Sequence, residues 1–261
     1  MFERMAEMTN MYALHNATSS FRYASPEEIK ALVGLHLAMG VMKLPRVRMY
    51  WDSTMDIGLF RDALSHDRFF QLRSNLHVAN NLERPAGDKD VFYKVCPLYD
   101  SIRKRCLELS LDENLCIDEQ IVPFRGALSV KQYVKGKPNP WGVKIFFLCG
   151  KSGFAYDFIL CQGAATELSE QSKKRMGHGA AVILHLSHRI CDPNHKLYMD
   201  NYFTTYNVLE MLAEKKMYAA VTARACHFAK PPLMDDKAMS KEERGNYDQV
   251  TSFDGKIALV K

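Results

Sequence analysis

Apolar residues recur at helical spacing through the first part of the chain, roughly 1–112. A Ser-Pro-Glu-Glu segment at 25–28 places Ser at the N-cap, Pro at the first helical position and Glu at the third, which is typical of a helix start. A second helix is predicted to begin at Ser65, and a third at Pro97. The pattern therefore predicts a mostly helical region over 1–112.

From about 113 the apolar period changes to that of strands. We predict strands at 114–122, 142–149 and 154–161, a polar loop at 163–179, a helix at 180–188, a strand at 196–200, a helix at 204–216 and a strand at 217–222. Three consecutive strands followed by alternating helices and strands indicate an α/β fold with a mixed sheet flanked by helices. The order fits a ribonuclease H-like core, and other α/β folds fit it too. Residues 223–261 indicate the start of a further unit with a hairpin at 250–260.

The distribution of charge along the chain is more informative about possible partners than the net charge. The 261 residues carry a formal net charge of +5, with ordinary hydrophobic and charged fractions of 47% and 25%. Residues 120–151, which we call the basic segment, contain six basic side chains and no Asp or Glu. Such a segment attracts a phosphate backbone, and a solvated positive face remains the alternative.

Cysteine spacing and hydropathy argue against a secreted disulfide-bonded protein and against a membrane protein. Seven cysteines occur without a CxxC pair, there is no signal-peptide pattern, and no apolar run approaches a membrane span. We expect a reduced intracellular protein that does not enter a membrane, with mostly buried thiols. A zinc site within these residues is not favoured.

Two aspartates are the candidate catalytic and metal-binding residues. Asp118 is predicted within a strand beside Ile117, and Asp200 at the end of a strand just before a helix. If their strands are neighbours, both carboxylates could share Mg²⁺ or Mn²⁺, as two-metal phosphoryl-transfer sites require. In the alternative interpretation, Asp118 pairs with a Lys or Arg and Asp200 caps the following helix.

Other polar candidates have competing structural interpretations. Glu119 should face away from Asp118, because strand side chains alternate, and is a poor co-ligand. Trp141 could stack on a base, but an anchoring role in the core is favoured. The Arg-Lys-Arg cluster at 103–105 could contact phosphate, but a solvated helix face is the favoured interpretation. Arg68 is expected to be open to solvent or DNA.

Three motifs carry a family resemblance: Asp-Glu-Gln-Ile-Val-Pro-Phe-Arg-Gly at 118–126, Lys-Gly-Lys-Pro-Asn-Pro-Trp-Gly-Val-Lys at 135–144 and Tyr-Met-Asp-Asn-Tyr-Phe-Thr at 198–204. In this order they resemble the piggyBac transposase family, and more specifically a domesticated element-derived protein. A Thr-Asn-Met-Tyr-Ala stretch at 9–13 extends the match over nearly the whole chain. At 226–227, Cys-His stands where the family pattern has Asn-Arg, which puts a contact there in doubt.

The resemblance implies a helical dimerisation and DNA-binding region at 1–112, a ribonuclease H-like core at 113–222 and the start of an insertion domain at 223–261. It implies DNA transposition with a divalent metal and three aspartates, of which Asp118 matches the first and Asp200 the second. The third is expected beyond the insertion domain, so we expect the chain alone not to transpose DNA. It also implies TTAA target sites, and the expected DNA partner implies a nuclear location.

The leading hypothesis is therefore a transposase-derived DNA-binding protein. Its expected DNA contacts, all in the basic segment, are Arg125, Lys131, Lys135, Lys137 and Lys144. One alternative is a metal-dependent transposase or nuclease completed by a longer isoform or a partner chain. A second alternative is a non-catalytic interaction module, in which the helical region at 1–112 mediates homodimerisation or partner binding. The last alternative is a poorly folded product.

Overall fold

A computed structural model describes residues 1–16 and 20–261. These residues form two compact units, Met1–Ile102 and Arg103–Lys261, and the boundary falls inside one helix. The division into 1–112, 113–222 and 223–261 made from the sequence stays a prediction. Each unit is described separately below.

The first unit is helical, as the apolar spacing predicts. Its helices are α1 (Phe2–His15), α2 (Pro26–Met42), α3 (Gly58–Ala63), α4 (His66–Asn75) and the start of α5 (Cys96–Leu107), with short 3₁₀ helices at Val47–Trp51 and Asn81–Glu83. Helix α2 begins at a complete capping box, in which the Ser25 hydroxyl accepts from the Glu28 N–H and the Glu28 carboxylate accepts from the Ser25 N–H. The predicted starts near Ser25 and Ser65 are confirmed, with Ser65 capping α4.

An ion pair lies next to the apolar core of this unit. Ile29, Leu32 and Phe69 are fully buried, and the Arg68 guanidinium one residue before Phe69 is only 8% exposed. Arg68 donates to both Glu28 carboxylate oxygens at 2.8 and 2.6 Å. The expectation that Arg68 faces solvent or DNA was wrong, because the carboxylate that caps α2 also holds this guanidinium.

The second unit is built on a mixed sheet. Its strands are β1 (Asn114–Pro123), β2 (Gln132–Tyr133), β3 (Trp141–Gly150), β4 (Ala155–Leu160), β5 (Lys196–Met199) and β6 (Tyr218–Val221). The strand order is β2-β3-β1-β5-β6, and β4 also pairs with β3. Strand β3 is antiparallel to β1 and β4, whereas β5 is parallel to β1 and β6. The path β4-β3-β1-β5-β6 is the predicted ribonuclease H-like mixed sheet, and the fold prediction is confirmed.

Helices join the later strands, and a small hairpin follows. The helices are α6 (Glu170–Met176), α7 (His178–Ser187), α8 (Tyr206–Glu214) and α9 (Asp236–Met239), with 3₁₀ helices at Gly163–Ala165 and Ala225–Phe228. The hairpin consists of β7 (Gln249–Thr251) and β8 (Ala258–Val260). The prediction of a polar loop at 163–179 was wrong for Glu170–Met176, which form α6. Ser169 caps that helix, and basic residues occupy its last turn, where they complement the helix dipole.

One face of the sheet carries the core of the second unit. Leu115 and Ile117 of β1 are buried in one cluster with Leu197 of β5, together with Ile183 of α7 and Leu212 of α8. Because strand side chains alternate, the intervening residues of β1 and β5 project from the opposite face. That opposite face carries the candidate site.

Two further findings complete the fold. Among the described residues, no helix is both long and apolar enough to cross a membrane. All seven cysteines are free, but only Cys161 is buried, whereas Cys191 and Cys226 are exposed and the others are half-buried. The expectation of mostly buried thiols was wrong, since these positions lie on strand faces and helix ends that stay partly open.

Candidate functional site

The sheet register brings Asp118 and Asp200 side by side. Ile117 of β1 pairs with Met199 of β5 in the parallel ladder, and each aspartate is the next residue in its own strand direction. Neighbouring strands lie about 4.8 Å apart, so the two aspartates project from adjacent positions on the same sheet face. Both are exposed. We call Asp118 and Asp200 the carboxylate pair.

Local hydrogen bonds orient both carboxylates. The Asp118 Oδ1 atom accepts from the Glu119 N–H at 2.8 Å, and the Asp200 Oδ1 atom accepts from the Tyr202 N–H at 2.8 Å. Within residues 1–16 and 20–261, neither aspartate forms an ion pair with a Lys, Arg or His. The N-cap of α8 is Thr205 and not Asp200. Both parts of the alternative interpretation, an ion pair for Asp118 and a cap for Asp200, are therefore wrong.

Neighbouring groups respond to the two negative charges. Burial raises the pKa of the Cys116 thiol, and the charges of Asp118 and Asp200 raise it further. Burial likewise raises the pKa of Glu119, and both aspartates add to this effect. The two carboxylates thus act on the same neighbours, as expected for charges held close together.

The donor set of the carboxylate pair fits a hard divalent cation. Carboxylate oxygens are the protein ligands that Mg²⁺ and Mn²⁺ prefer, and Mg²⁺ typically takes only one or two of them together with phosphate and water oxygens. In the part of the chain that the structure describes, no group of three or more His, Cys, Asp or Glu side chains is placed to hold a metal ion. Asp118 and Asp200 are the residues that would hold such an ion.

Glu119 projects from the core face of the sheet, opposite to Asp118. Its partner in the antiparallel ladder is the buried Phe146. The Glu119 side chain is 14% exposed and lies 3.6 Å from the Lys137 ammonium. Lys137 and then Lys144 lower its pKa against the effect of burial. Glu119 therefore balances part of the positive charge of two expected DNA contacts.

Three other basic residues of the segment lie between β1 and β3, and Lys144 lies within β3. Arg125 and Lys135 are exposed, and neither forms an ion pair among the described residues. Lys131 donates to the Gly126 carbonyl at 2.9 Å. Lys144 lies with its ammonium 5.1 Å from the centre of the Tyr202 ring. The positive charge of Arg125, Lys131 and Lys135 is thus available to an external anion.

The structure corrects two further expectations. Trp141 is 53% exposed, so a core role for its ring was wrong: the ring stands on the first residue of β3, at the sheet margin. Arg103 is not part of a solvated helix face. It donates to the Asp157 carboxylate at 2.6 Å, and the Asp157 side chain is only 5% exposed.

Sequence reasoning missed one basic residue near the carboxylate pair. The Arg224 Nε atom donates to the side-chain oxygen of Asn201 at 3.0 Å, and Asn201 directly follows Asp200 in the chain. The Thr-Ala-Arg motif at 222–224 was the available signal, but only the sheet places it beside β5. His227, the second residue of the altered Cys-His pair at 226–227, contacts the Thr204 carbonyl oxygen through Nδ1 at 2.9 Å.

Known proteins share this sequence pattern and this fold. A family model described as "Transposase IS4" matches residues 1–261. The human PiggyBac transposable element-derived protein 3 is 31% identical over 266 residues, covering 99% of this chain and 43% of that protein. The human PiggyBac transposable element-derived protein 2 is 30% identical over 249 residues, covering 92% of this chain and 40% of that protein.

A solved structure supports the same fold. The chain matches a piggyBac transposase in a synaptic complex with hairpin DNA, determined by cryo-EM, with a TM-score of 0.78 and 22% identity. The match covers 96% of this chain and 53% of that chain. This chain thus spans less than half the length of the curated relatives named here. Taken with the family match over its whole length, these likenesses confirm the resemblance inferred from the motifs, and the chain belongs to the piggyBac-type transposase family.

Proposed function

We propose that this chain binds DNA through its basic segment. The observation that carries the proposal is the exposed positive charge of Arg125 and Lys135, which have no ion-pair partner among the described residues and follow the strand that bears Asp118. Phosphate oxygens are the ligands that such uncompensated cations attract, and release of counterions from DNA then drives binding. The solved relative is itself a DNA complex, which supports this class of partner.

The carboxylate pair gives the proposed DNA site a second component. Asp118 and Asp200 would hold Mg²⁺ or Mn²⁺, and a bound ion would supply positive charge to neutralise a phosphate near the pair. Without an ion, two carboxylates on an exposed sheet face repel phosphate. We therefore expect divalent cations to strengthen DNA binding by this chain.

Fluorescence anisotropy of a labelled DNA duplex, measured at several salt concentrations, tests the proposal. The variants are Arg125→Gln and Lys135→Gln. Each lost phosphate contact should weaken binding and reduce the slope of log K against log salt by about 0.9. Lys151→Gln is the matched control, because Lys151 lies in the same acid-free segment but in the turn at the far end of β3.

Comparison of duplexes with and without TTAA tests sequence preference in the same assay. The proposal predicts salt-dependent binding that Arg125→Gln and Lys135→Gln weaken more than Lys151→Gln does. It fails if the folded chain shows no DNA affinity at low salt, or if all three variants bind as the unaltered chain does. Equal affinity for both duplexes would remove the TTAA preference but leave DNA binding intact.

Metal-dependent strand cutting is the second candidate function, and the adjacency of Asp118 and Asp200 favours it. We propose that the chain alone binds DNA without cutting it, because no third acidic side chain joins the carboxylate pair among the described residues. Incubation with supercoiled plasmid and Mn²⁺ distinguishes the two functions. Nicking that is abolished by Asp118→Asn and by Asp200→Asn would establish cutting and overturn the binding-only proposal.

Self-association is a further proposal, which an exposed apolar face of α2 supports. Leu37 and Val41, four residues apart on that helix, are 70% and 82% exposed. A homodimer would bury this face, and Val41→Glu should then shift the chain to a monomer in sedimentation analysis. A stable dimer without DNA affinity would favour the interaction-module hypothesis. We also propose a nuclear location, where DNA is the available partner.

A further inference from the structure

Two aromatic rings form an exposed pair beside the basic segment. Tyr133 of β2 and Trp141 of β3 are partners in the antiparallel ladder. Their ring centres lie 5.0 Å apart with an angle of 53° between the ring planes. The two residues are 55% and 53% exposed. We call this pair the aromatic platform, and its exposed rings are accessible to a ligand.

A positive charge lies beside the platform. The Lys131 ammonium lies 5.4 Å from the centre of the Trp141 ring, and its hydrogen bond to the Gly126 carbonyl keeps it there. Arg125 precedes Lys131 in the chain and Lys135 follows Tyr133, and residues 120–151 contain no acidic side chain. A flat apolar ring with a cation beside it suits a ligand that combines a π-face with a negative charge. Every nucleotide has both, whereas a peptide combines them only where it carries aromatic and acidic side chains together.

The platform lies on the same sheet face as Asp118. Asp118 pairs with Phe147 across the β1–β3 ladder, and Trp141 is six residues from Phe147 on β3. Because strand side chains alternate, an even separation keeps the Trp141 and Asp118 side chains on one face, and six residues span about 20 Å. One DNA strand could therefore contact both places.

We propose that the aromatic platform binds an unpaired DNA base, with Lys131 and Arg125 on the adjacent phosphates. A base inside a duplex hides its π-faces against its neighbours, so the ligand is a single strand or an unpaired end. Stacking on an aromatic ring tolerates any base, and the platform adds affinity without sequence readout. This inference rests on the proposed DNA-binding function and assigns the form of DNA that the site takes.

The first experiment compares two single strands of equal charge. An oligothymidylate of about 12 nucleotides, within the usual site sizes for single strands, is titrated beside an abasic strand of the same length. Binding is followed by tryptophan fluorescence in the unaltered chain and in Trp141→Phe, which keeps Trp51. The proposal expects quenching by the oligothymidylate that is absent in Trp141→Phe, and weaker binding of the abasic strand.

The second experiment removes the rings. Tyr133→Ala and Trp141→Ala should each weaken oligothymidylate binding about 5- to 140-fold, the range that one lost stacking contact corresponds to. Neither should change binding of the abasic strand by a similar factor. Phe154→Ala is the matched control, because Phe154 is 63% exposed but lies beyond the far end of β3. Circular dichroism of each variant checks the fold, and Trp141→Phe serves as the milder substitution.

Separate outcomes address the two proposals. If both strands bind with equal affinity, and ring removal has no effect, the platform takes no base, while DNA binding through phosphates stands. If Trp141 fluorescence stays unchanged on saturation with oligothymidylate, the inference is also overturned. If neither strands nor duplexes bind at low salt, the proposed function fails and this inference fails with it.

Discussion

The ion pair between Glu28 and Arg68 should dominate the acid stability of the helical unit. The Arg68 guanidinium binds both carboxylate oxygens of Glu28, and the two side chains are only 8% and 18% exposed. The hydrogen bond from Arg68 is the main reason that the pKa of Glu28 falls from 4.5 to about 2, although burial opposes it. We therefore consider the substitution Glu28→Gln, which removes the charge but keeps the shape and the capping box.

The lowered pKa sets the magnitude. A difference of about 2.5 between the unfolded and folded pKa values, at 1.36 kcal/mol per pH unit, corresponds to about 3 kcal/mol of stability. Because the folded pKa is the lower one, this stability is present above pH 4.5 and is lost as the pH falls towards 2. Glu28→Gln should thus cost about 3 kcal/mol at pH 7 and roughly half of that at pH 3.

Urea unfolding followed by Trp51 fluorescence provides the assay. A Trp141→Phe background leaves Trp51, which lies in the unit of Glu28, as the reporter. Asp56→Asn is the matched control, since it also converts an acid to its amide but removes an exposed ion pair with Arg61, and should leave stability unchanged. A loss below about 1 kcal/mol at pH 7, or a loss that does not shrink at pH 3, would show that this ion pair does not set the acid stability of the unit.

Three further outcomes follow from local contacts. Burial and then the Asp90 carboxylate raise the pKa of Cys96 to about 12, so iodoacetamide at pH 8 should alkylate exposed Cys226 long before Cys96, as peptide mass spectrometry would show. Gly142→Ala would drive a Cβ atom into the Val122 carbonyl oxygen across the β1–β3 ladder, and should lower thermal stability by about 1–3 kcal/mol in calorimetry. Thr205→Ala removes the side-chain cap of α8 and should cost about 1 kcal/mol in urea unfolding; an unchanged midpoint would contradict the cap.

Local sequence signals predicted the elements that depend on local chemistry. The capping residues Ser25 and Ser65 indicated the starts of α2 and α4, and alternating apolar residues indicated the long strands β1 and β3. Helix α6 was not predicted because Met176 is its only apolar residue, so the helix has no apolar periodicity. A side-chain cap from Ser169 and basic residues in the last turn stabilise it.

The residues that were misjudged depend on tertiary partners. Nothing near Arg68 in the sequence indicates that Glu28, forty residues away, holds its guanidinium. Trp141 has an apolar side chain that favours burial in general, yet it begins β3 where the sheet ends. Asp118 and Asp200 were suspected individually, but their adjacency follows from the parallel pairing of β1 with β5, which spacing along the chain does not contain.

The central claim is that β1 and β5 hold Asp118 and Asp200 together as one metal-binding carboxylate pair in a DNA-binding chain. Calorimetric titration of the purified chain with Mn²⁺, beside Asp118→Ala and Asp200→Ala, tests it most directly. We expect one binding event that either substitution removes, with circular dichroism showing that both variants stay folded. Absence of Mn²⁺ binding by the folded chain, or binding that survives either substitution, would contradict it.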